Sequence, residues 1–242
     1  MKKKIFVILF AGIFLFCIFA LSAKEYSVAV YDIPVSKYFV DLFKAIGETT
    51  NNSFNVQIVP PARGVYLIEN DQVDIIFPAT MSNDSKKVSL AKFDYSAAKA
   101  YQMVFVLYMN KKNPIDINDL KKGNPKGYKI ETTGSLSQMF EFEPLQTTNL
   151  EASLRKVEEG KIDGLLYAQD VSDPLLKKSG YKNIARKLYS INDIAFGIKK
   201  GTAGGELDKT LSDGIAKLKK NGKLAQILDV CIKNSKYAEW QP

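Results

Sequence analysis

From residue 27 to residue 79 the hydrophobic pattern switches repeatedly between short apolar runs and a helical period. SVAVY (27–31) is an apolar run. Phe39, Leu42, Phe43 and Ile46 then recur at i, i+3, i+4 and i+7, the spacing of one helix face, with Ser36 placed to cap the helix and Gly47 to stop it. NVQIVP (55–60) predicts a second strand, residues 63–70 a second helix and VDIIFPA (73–79) a third strand. Strands alternating with helices at this interval predict a parallel sheet covered by helices, an α/β architecture.

The stretch KKNPIDINDLKKGNPKG (111–127) breaks the pattern with its Asn-Pro, Lys and Gly content, and a second cycle follows. YKIE (128–131) predicts a strand, TTGS a turn and 135–140 the start of a helix. Thr148-x-x-Glu151 has the form of a capping box, ahead of a helix with Leu150, Leu154 and Val157 on one face and Gly160 as terminator. One phrase occurs in both cycles: ENDQVDIIFPA (69–79) and EEGKIDGLLYA (158–168) each end a helix with a polar tetrad, then lead through a β-type residue and an aspartate into an apolar run. Each reads as the helix-to-strand step of a separate lobe, although two βαβ units can converge on such a phrase. DIAFGIKKG (193–201) predicts a strand; Leu207, Leu211, Ile215 and Leu218 predict a helix ending near Gly222, and Leu224, Ile227, Leu228 and Cys231 one more. No Pro- or Ser-rich linker separates the lobes. They are therefore expected to be joined by strands that pass between them, MVFVLYM (103–109) and IAFGI (194–198).

The N-terminus belongs outside this pattern. Lys2, Lys3 and Lys4 precede an uncharged run from 5 to 21 and the small residues Ser22 and Ala23, the order of a Sec-type secretory signal over 1–23. An uncleaved membrane anchor is the alternative. Without those three lysines, 34 basic residues become 31 against 26 acidic, a net charge of +5 with no arginine-rich tract. Nucleic acid is not an expected partner, and AKLKKNGK (216–223) reads as a solvated helix face. Cys231 alone follows the signal segment, so no internal disulfide is expected. The chain contains no histidine, which removes His-metal sites, Ser-His-Asp and Cys-His nucleophiles and the commonest general base. Neither a glycine-rich dinucleotide fingerprint nor a P-loop is present. No metal, cofactor or catalytic residue is expected.

The order of YDIP, Pro61-x-Arg63, ENDQVD, ATMSNDSKK, FDYS, INDLKKG, ETTGS, VEEGKIDGLLY, FGIKKGT and LKKNGKLAQIL resembles the bacterial extracellular solute-binding proteins of family 3, from about Tyr26 to Ile232. The resemblance implies a type II periplasmic binding fold: one lobe of residues 24–104 plus 197–242, another of 105–196, and a ligand cleft between them. Hinge strands would let the lobes close on a small solute, and the closed form would be read by a membrane importer or a sensor protein, with the binding protein a monomer outside the cytoplasm. Ligands of open α/β sheets bind beyond the carboxyl ends of strands, which selects Tyr31, Asp32, Arg63, Ala79, Thr80, Thr133, Gly134, Ser135, Tyr167 and Asp170; the resemblance adds Lys86. Arg63 can fork onto an anion or simply be a surface residue. Thr133-Gly134-Ser135 can offer backbone N–H groups to a carboxylate or phosphate, or Ser135 can act as a cap. Tyr31 and Tyr167 stand at corresponding strand ends and can flank a ligand, while Tyr167 can equally be core. Asp32 and Asp170 can meet an amine or cap turns.

The sequence departs from the family's amino-acid clamp. The position of the carboxylate-binding Arg falls on Ser85 or Lys86, and that of the amine-binding Asp on Ala168, two residues before Asp170. Lys86 supplies a point charge in place of a bidentate fork. The leading expectation is capture of an amino-acid-like or organic-acid solute for an ATP-binding-cassette importer. A sensor partner of a membrane receptor and a dehydratase on the same fold, with Glu131 as its candidate acid, are the alternatives.

Overall fold

The two copies of the repeated phrase do the same physical work. In the computed structural model, which describes residues 23–82, 88, 89 and 91–242, each phrase closes a helix and opens a strand. These are α2 (Pro61–Glu69) into β3 (Ile75–Thr80), and α4 (Leu150–Glu158) into β7 (Gly164–Ala168). The aspartate in each anchors the new strand to the preceding parallel one. The Asp74 carboxylate accepts from the Ser27 N–H at 2.8 Å and its own N–H donates to the Ser27 carbonyl at 3.0 Å. Asp163 repeats both bonds with Lys129, at 2.7 and 3.0 Å. The phrase recurs because each copy carries the same two-way strand anchor.

The strands form one eight-stranded sheet in the order β2-β1-β3-β8-β4-β7-β5-β6. One end holds β1 (Glu25–Tyr31), β2 (Ser53–Val59) and β3, mutually parallel through β1. The other holds β5 (Ile130–Thr133), β6 (Leu145–Thr147) and β7, parallel through β5. Between them runs an antiparallel ribbon of two long strands, β4 (Asp94–Asn110) and β8 (Ile184–Ile198), paired from Asp94↔Ile198 to Asn110↔Ile184. Both expected joining strands are present, each longer than its apolar run. Helix α1 (Ser36–Thr50) packs on the first end together with α6 (Glu206–Lys220), α7 (Lys223–Ile227) and α8 (Asp229–Lys233). The second end carries α3 (Ile117–Lys121), α4 and α5 (Gln169–Ser179).

Several local expectations shift. Ser36 lies inside the first turn of α1, its hydroxyl donating to the Tyr31 carbonyl at 2.7 Å. Gly47 does not stop that helix; it is needed where the chain doubles back, since a Cβ there would sit 2.7 Å from the Asn52 carbonyl. Asn51 ends the helix in a left-handed conformation (φ 55°). Asn149, not Thr148, caps α4, accepting from the Ala152 N–H at 2.9 Å. Residues 134–139 form a 3-10 turn.

The cores divide along the ribbon. Phe39, Phe43, Phe77 and Phe196, each 0% exposed, cluster at the first end, and Phe105, Leu107, Leu120 and Phe140 at the second. The last residues pack on the second end: Tyr237 and Trp240 lie with Val106, Tyr108, Leu154 and Leu176. Their polar partners, Arg186, Asp173 and Gln169, all lie there. Among the described residues no helix is long and apolar enough to cross a membrane, and the segment expected to be a signal, 1–23, lies almost wholly outside them.

Candidate functional site

The register of the ribbon fixes where a ligand can sit. Thr80, the last residue of β3, lies opposite Ile194, which is opposite Tyr101 of β4; Ala168, the last of β7, lies opposite Phe105. The carboxyl ends of the two parallel sets therefore point toward each other, four residues apart along β4, or about 13 Å at ~3.3 Å per residue. Residues 102–104 and 191–193 span this gap. Carboxyl ends of parallel strands are where α/β sheets bind ligands, and here two such edges face one space.

On the first edge, Tyr31 ends β1 with its ring turned under α2; a Cβ on Gly64 would lie 2.6 Å from its Cε1. Burial, with Tyr95 close by, pushes the Tyr31 phenol well above its ordinary range. Tyr95, which the sequence reading did not select, donates its hydroxyl to the Thr80 carbonyl at 3.2 Å and packs its ring 5.1 Å from Phe93. Asp32 is exposed, its N–H held by the Val59 carbonyl at 2.8 Å. Arg63 is exposed on the first turn of α2, its guanidinium 4.9 Å above the Tyr66 ring. Ala79 is buried in the sheet opposite Ala195, so only its backbone faces the strand end. Lys86 lies outside the described residues.

On the second edge, Thr133 ends β5; burial raises the Tyr167 phenol, and Thr133 partly offsets that rise. Gly134 and Ser135 open the 3-10 turn, which receives no capping bond from the Thr133 side chain. The side chain of Ser135 is outside the described set. Gly134 is exposed, with room for a Cβ only 3.1 Å from Gln146 Oε1.

Asp170 opens α5 and meets a different set of neighbours. Its charge acts on the Tyr101 phenol and the Cys231 thiol, both raised by burial first and further by Asp170. Burial, then the Asp170 charge, lifts the Cys231 thiol to about 11 against a smaller lowering by Tyr101. Asp170 itself is raised by burial above all, and by Asp173, against bonds from the N–H groups of Asp170 and Val171. Its Oδ1 is buried without a hydrogen-bond partner. A carboxyl raised in the folded state contributes stability fully below its unfolded pKa of about 3.9, and loses it as pH rises through the folded value. Asp170→Asn, which keeps an acceptor for both N–H groups, should therefore raise the unfolding midpoint at pH 7, with the difference vanishing near pH 3. A midpoint at pH 7 equal to or below the parent's would contradict this burial.

Glu131 is engaged in structure. It is buried, accepts from Ser153 Oγ at 2.5 Å and pairs with Lys156 at 2.7 Å, tying β5 to α4. The gap-spanning segment adds residues the sequence did not signal. Asn192 Nδ2 donates to the Met81 carbonyl at 2.9 Å, and the Met81 N–H to the Asp193 carbonyl at 2.9 Å, fixing the end of β3 to the ribbon. Asp193 in turn holds Lys99 and, at 3.0 Å, Gln102. Among the described residues no cluster of three or more acidic or Cys groups is placed to hold a metal ion.

No protein-family model and no curated protein sequence matches the chain. Solved structures do. The GluR0 ligand-binding core from Nostoc punctiforme in complex with L-glutamate superposes with a TM-score of 0.61 at 16% identity, over 84% of this chain and 97% of that one. A histidine kinase sensor domain similar to periplasmic binding proteins gives 0.61 at 15% identity, over 86% and 95%. A putative L-cystine ABC transporter protein from Listeria monocytogenes gives 0.59 at 16%, over 91% and 100%. With these likenesses spanning nearly the whole of each partner, the chain has the mixed α/β fold of the type II periplasmic binding proteins.

Proposed function

We propose that the chain is an extracytoplasmic solute-binding protein, a monomer that captures a small polar ligand between its two halves and delivers it to an ATP-binding-cassette importer. The observation that carries this reading is the pair of facing strand ends, about 13 Å apart by strand rise and spanned by the β4–β8 ribbon. Two lobes, 24–101 with 194–234 and 105–190 with 235–242 docked on it, close about residues 102–104 and 191–193. The ligand stabilises the closed state by its greater affinity for it. Its contacts come from Tyr31, Asp32, Arg63 and Thr80 on one side and from Thr133, Gly134 and Tyr167 on the other. Glutamate and cystine in the names of the neighbours support amino acids as the first class to test, and organic acids follow from Arg63 and the uncapped 3-10 turn. The Asp170 carboxyl, beside Cys231 and Tyr101, acts at the junction of the lobes.

A sensor role, with the closed form read by a membrane receptor, is the second reading, favoured by the likeness to a histidine kinase sensor domain. A dehydratase needs a free acid in the gap, and the bonds of Glu131 to Ser153 and Lys156 occupy that candidate.

Thermal unfolding against amino acids, organic acids, polyamines and short peptides tests binding. A ligand at about 100 times its dissociation constant adds roughly 2.7 kcal/mol, or about 5–11 °C for a chain of this size. Recovery of the compound unchanged distinguishes binding from turnover. No shift with any class, in protein freed of co-purified solute, would sink the proposal.

A further inference from the structure

We propose that residues 234–242 form a strap, a third and very short connection between the halves that limits how far they separate. This rests on the closure reading above and adds the element that sets its range.

The strap begins in one half and ends in the other. Helix α8 is built into the first core through Cys231, with Leu228 just before it, and its exit is tied down: Ser235 N–H donates to the Ile232 carbonyl at 3.1 Å and Asn234 Nδ2 to the Val230 carbonyl at 2.8 Å. At Lys236 the chain is already held by the second half, its carbonyl accepting from Gln169 Nε2 at 2.9 Å. From Lys233 to Lys236 a fully extended chain spans about 11 Å at most. The connection is only three residues long, turned at Asn234 and bent at Ser235 and Lys236.

Its far end occupies a dedicated site. Arg186, with a fully buried side chain, donates through Nη1 to the carbonyls of Ala238 and Trp240, both at 2.7 Å. The Ala238 N–H donates to Gln169 Oε1 at 2.8 Å, and the Gln241 amide exchanges two 2.9 Å bonds with the Arg186 backbone. Trp240 donates Nε1 to Asp173 at 3.0 Å, while its ring lies 4.4 Å from the Arg186 guanidinium and 4.6 Å from Lys177 Nζ. Lys111 holds the Pro242 carbonyl at 3.0 Å. The chain's own last residues are thus held against β8 and α5, largely through backbone groups. Separation of the halves on this side therefore requires α8 to unravel or the groove to empty.

The test changes strap length while leaving the groove filled. Cysteines replacing exposed Lys44 on α1 and Lys122 just after α3, in a chain carrying Cys17→Ser, take a fluorophore pair whose distance distribution is read in single molecules. Inserting Gly-Ser-Gly-Ser between Ser235 and Lys236 adds up to about 13 Å of reach. The expected result is a distribution broadened by several ångström with an unchanged unfolding midpoint. Stopping the chain after Ser235 should broaden it further; if that variant fails to fold, the insertion alone decides. A distribution identical to the parent's in the insertion variant overturns the strap. Failure of closure would appear separately, as a parent distribution that no compound in the screen shifts.

Discussion

Arg186→Ala is expected to cost about 3–5 kcal/mol of folding stability, the usual penalty for breaking a buried ion pair from one side. For this chain that is a fall of about 6–20 °C in the unfolding midpoint. The side chain is 0% exposed and its guanidinium meets Asp173 through both Nε (2.8 Å) and Nη2 (2.5 Å). Asp173 also accepts from the Tyr108 hydroxyl at 2.6 Å. Truncation leaves that carboxylate without its cation and two backbone carbonyls without a donor. Asp173→Ala should lose a comparable amount, and the double variant less than the sum, because both singles break one network. Urea titrations of the four proteins measure this directly. A loss below about 1 kcal/mol for Arg186→Ala, the range of an exposed pair, would mean that the network is open to water. The ligand-induced midpoint shift should persist in a folded variant, since neither Arg186 nor Asp173 is among the proposed ligand contacts.

The periodic parts of this fold were legible in the sequence and the non-periodic parts were not, for physical reasons. Phe39, Leu42, Phe43 and Ile46 fill one core because a helix buries one stripe, and that stripe is written in the residue spacing. The length of β4 was hidden. Its first half alternates exposed and buried positions from Ala97 to Ala100, where small residues and Lys99 give little hydrophobic contrast, and register shifts between Tyr95 and Tyr101 interrupt the period. The 235–242 segment reads as a polar end because its capture uses the carbonyls of Ala238 and Trp240, and backbone groups leave no trace in residue identity. In the site, strand ends located Tyr31, Thr80, Thr133 and Tyr167 on two facing edges. The same logic could not show that Asp170 turns toward Cys231, since one turn of α5 decides its direction. Asn192 and Tyr95 carried no signal either. Their value comes from bonds to the carbonyls of Met81 and Thr80, which only the crossing of β3 and the ribbon creates.

Phe77→Ala and Phe105→Ala should each cost about 3–5 kcal/mol and should lower the same transition. Phe77 lies in the first core, edge-on to Phe39 at 4.8 Å and stacked on Phe196 at 4.7 Å. Phe105 lies in the second, edge-on to Phe140 at 5.9 Å. Both are 0% exposed, so truncation removes transfer energy and leaves a cavity. The two cores have no side chain in common among their fully buried residues, and by themselves they could melt separately. The ribbon opposes that. β4 and β8 pair without a break in direction from one core to the other, and Met103 at the gap packs against both. Unfolding one half therefore strips hydrogen bonds and side-chain contacts from strands the other half requires. Calorimetry of each variant should show one peak displaced as a whole, by about 6–20 °C. Two resolved peaks, with only the mutated half displaced, would mean that the ribbon behaves as a loose tether, and a hinge of that kind could not transmit ligand capture from one edge to the other.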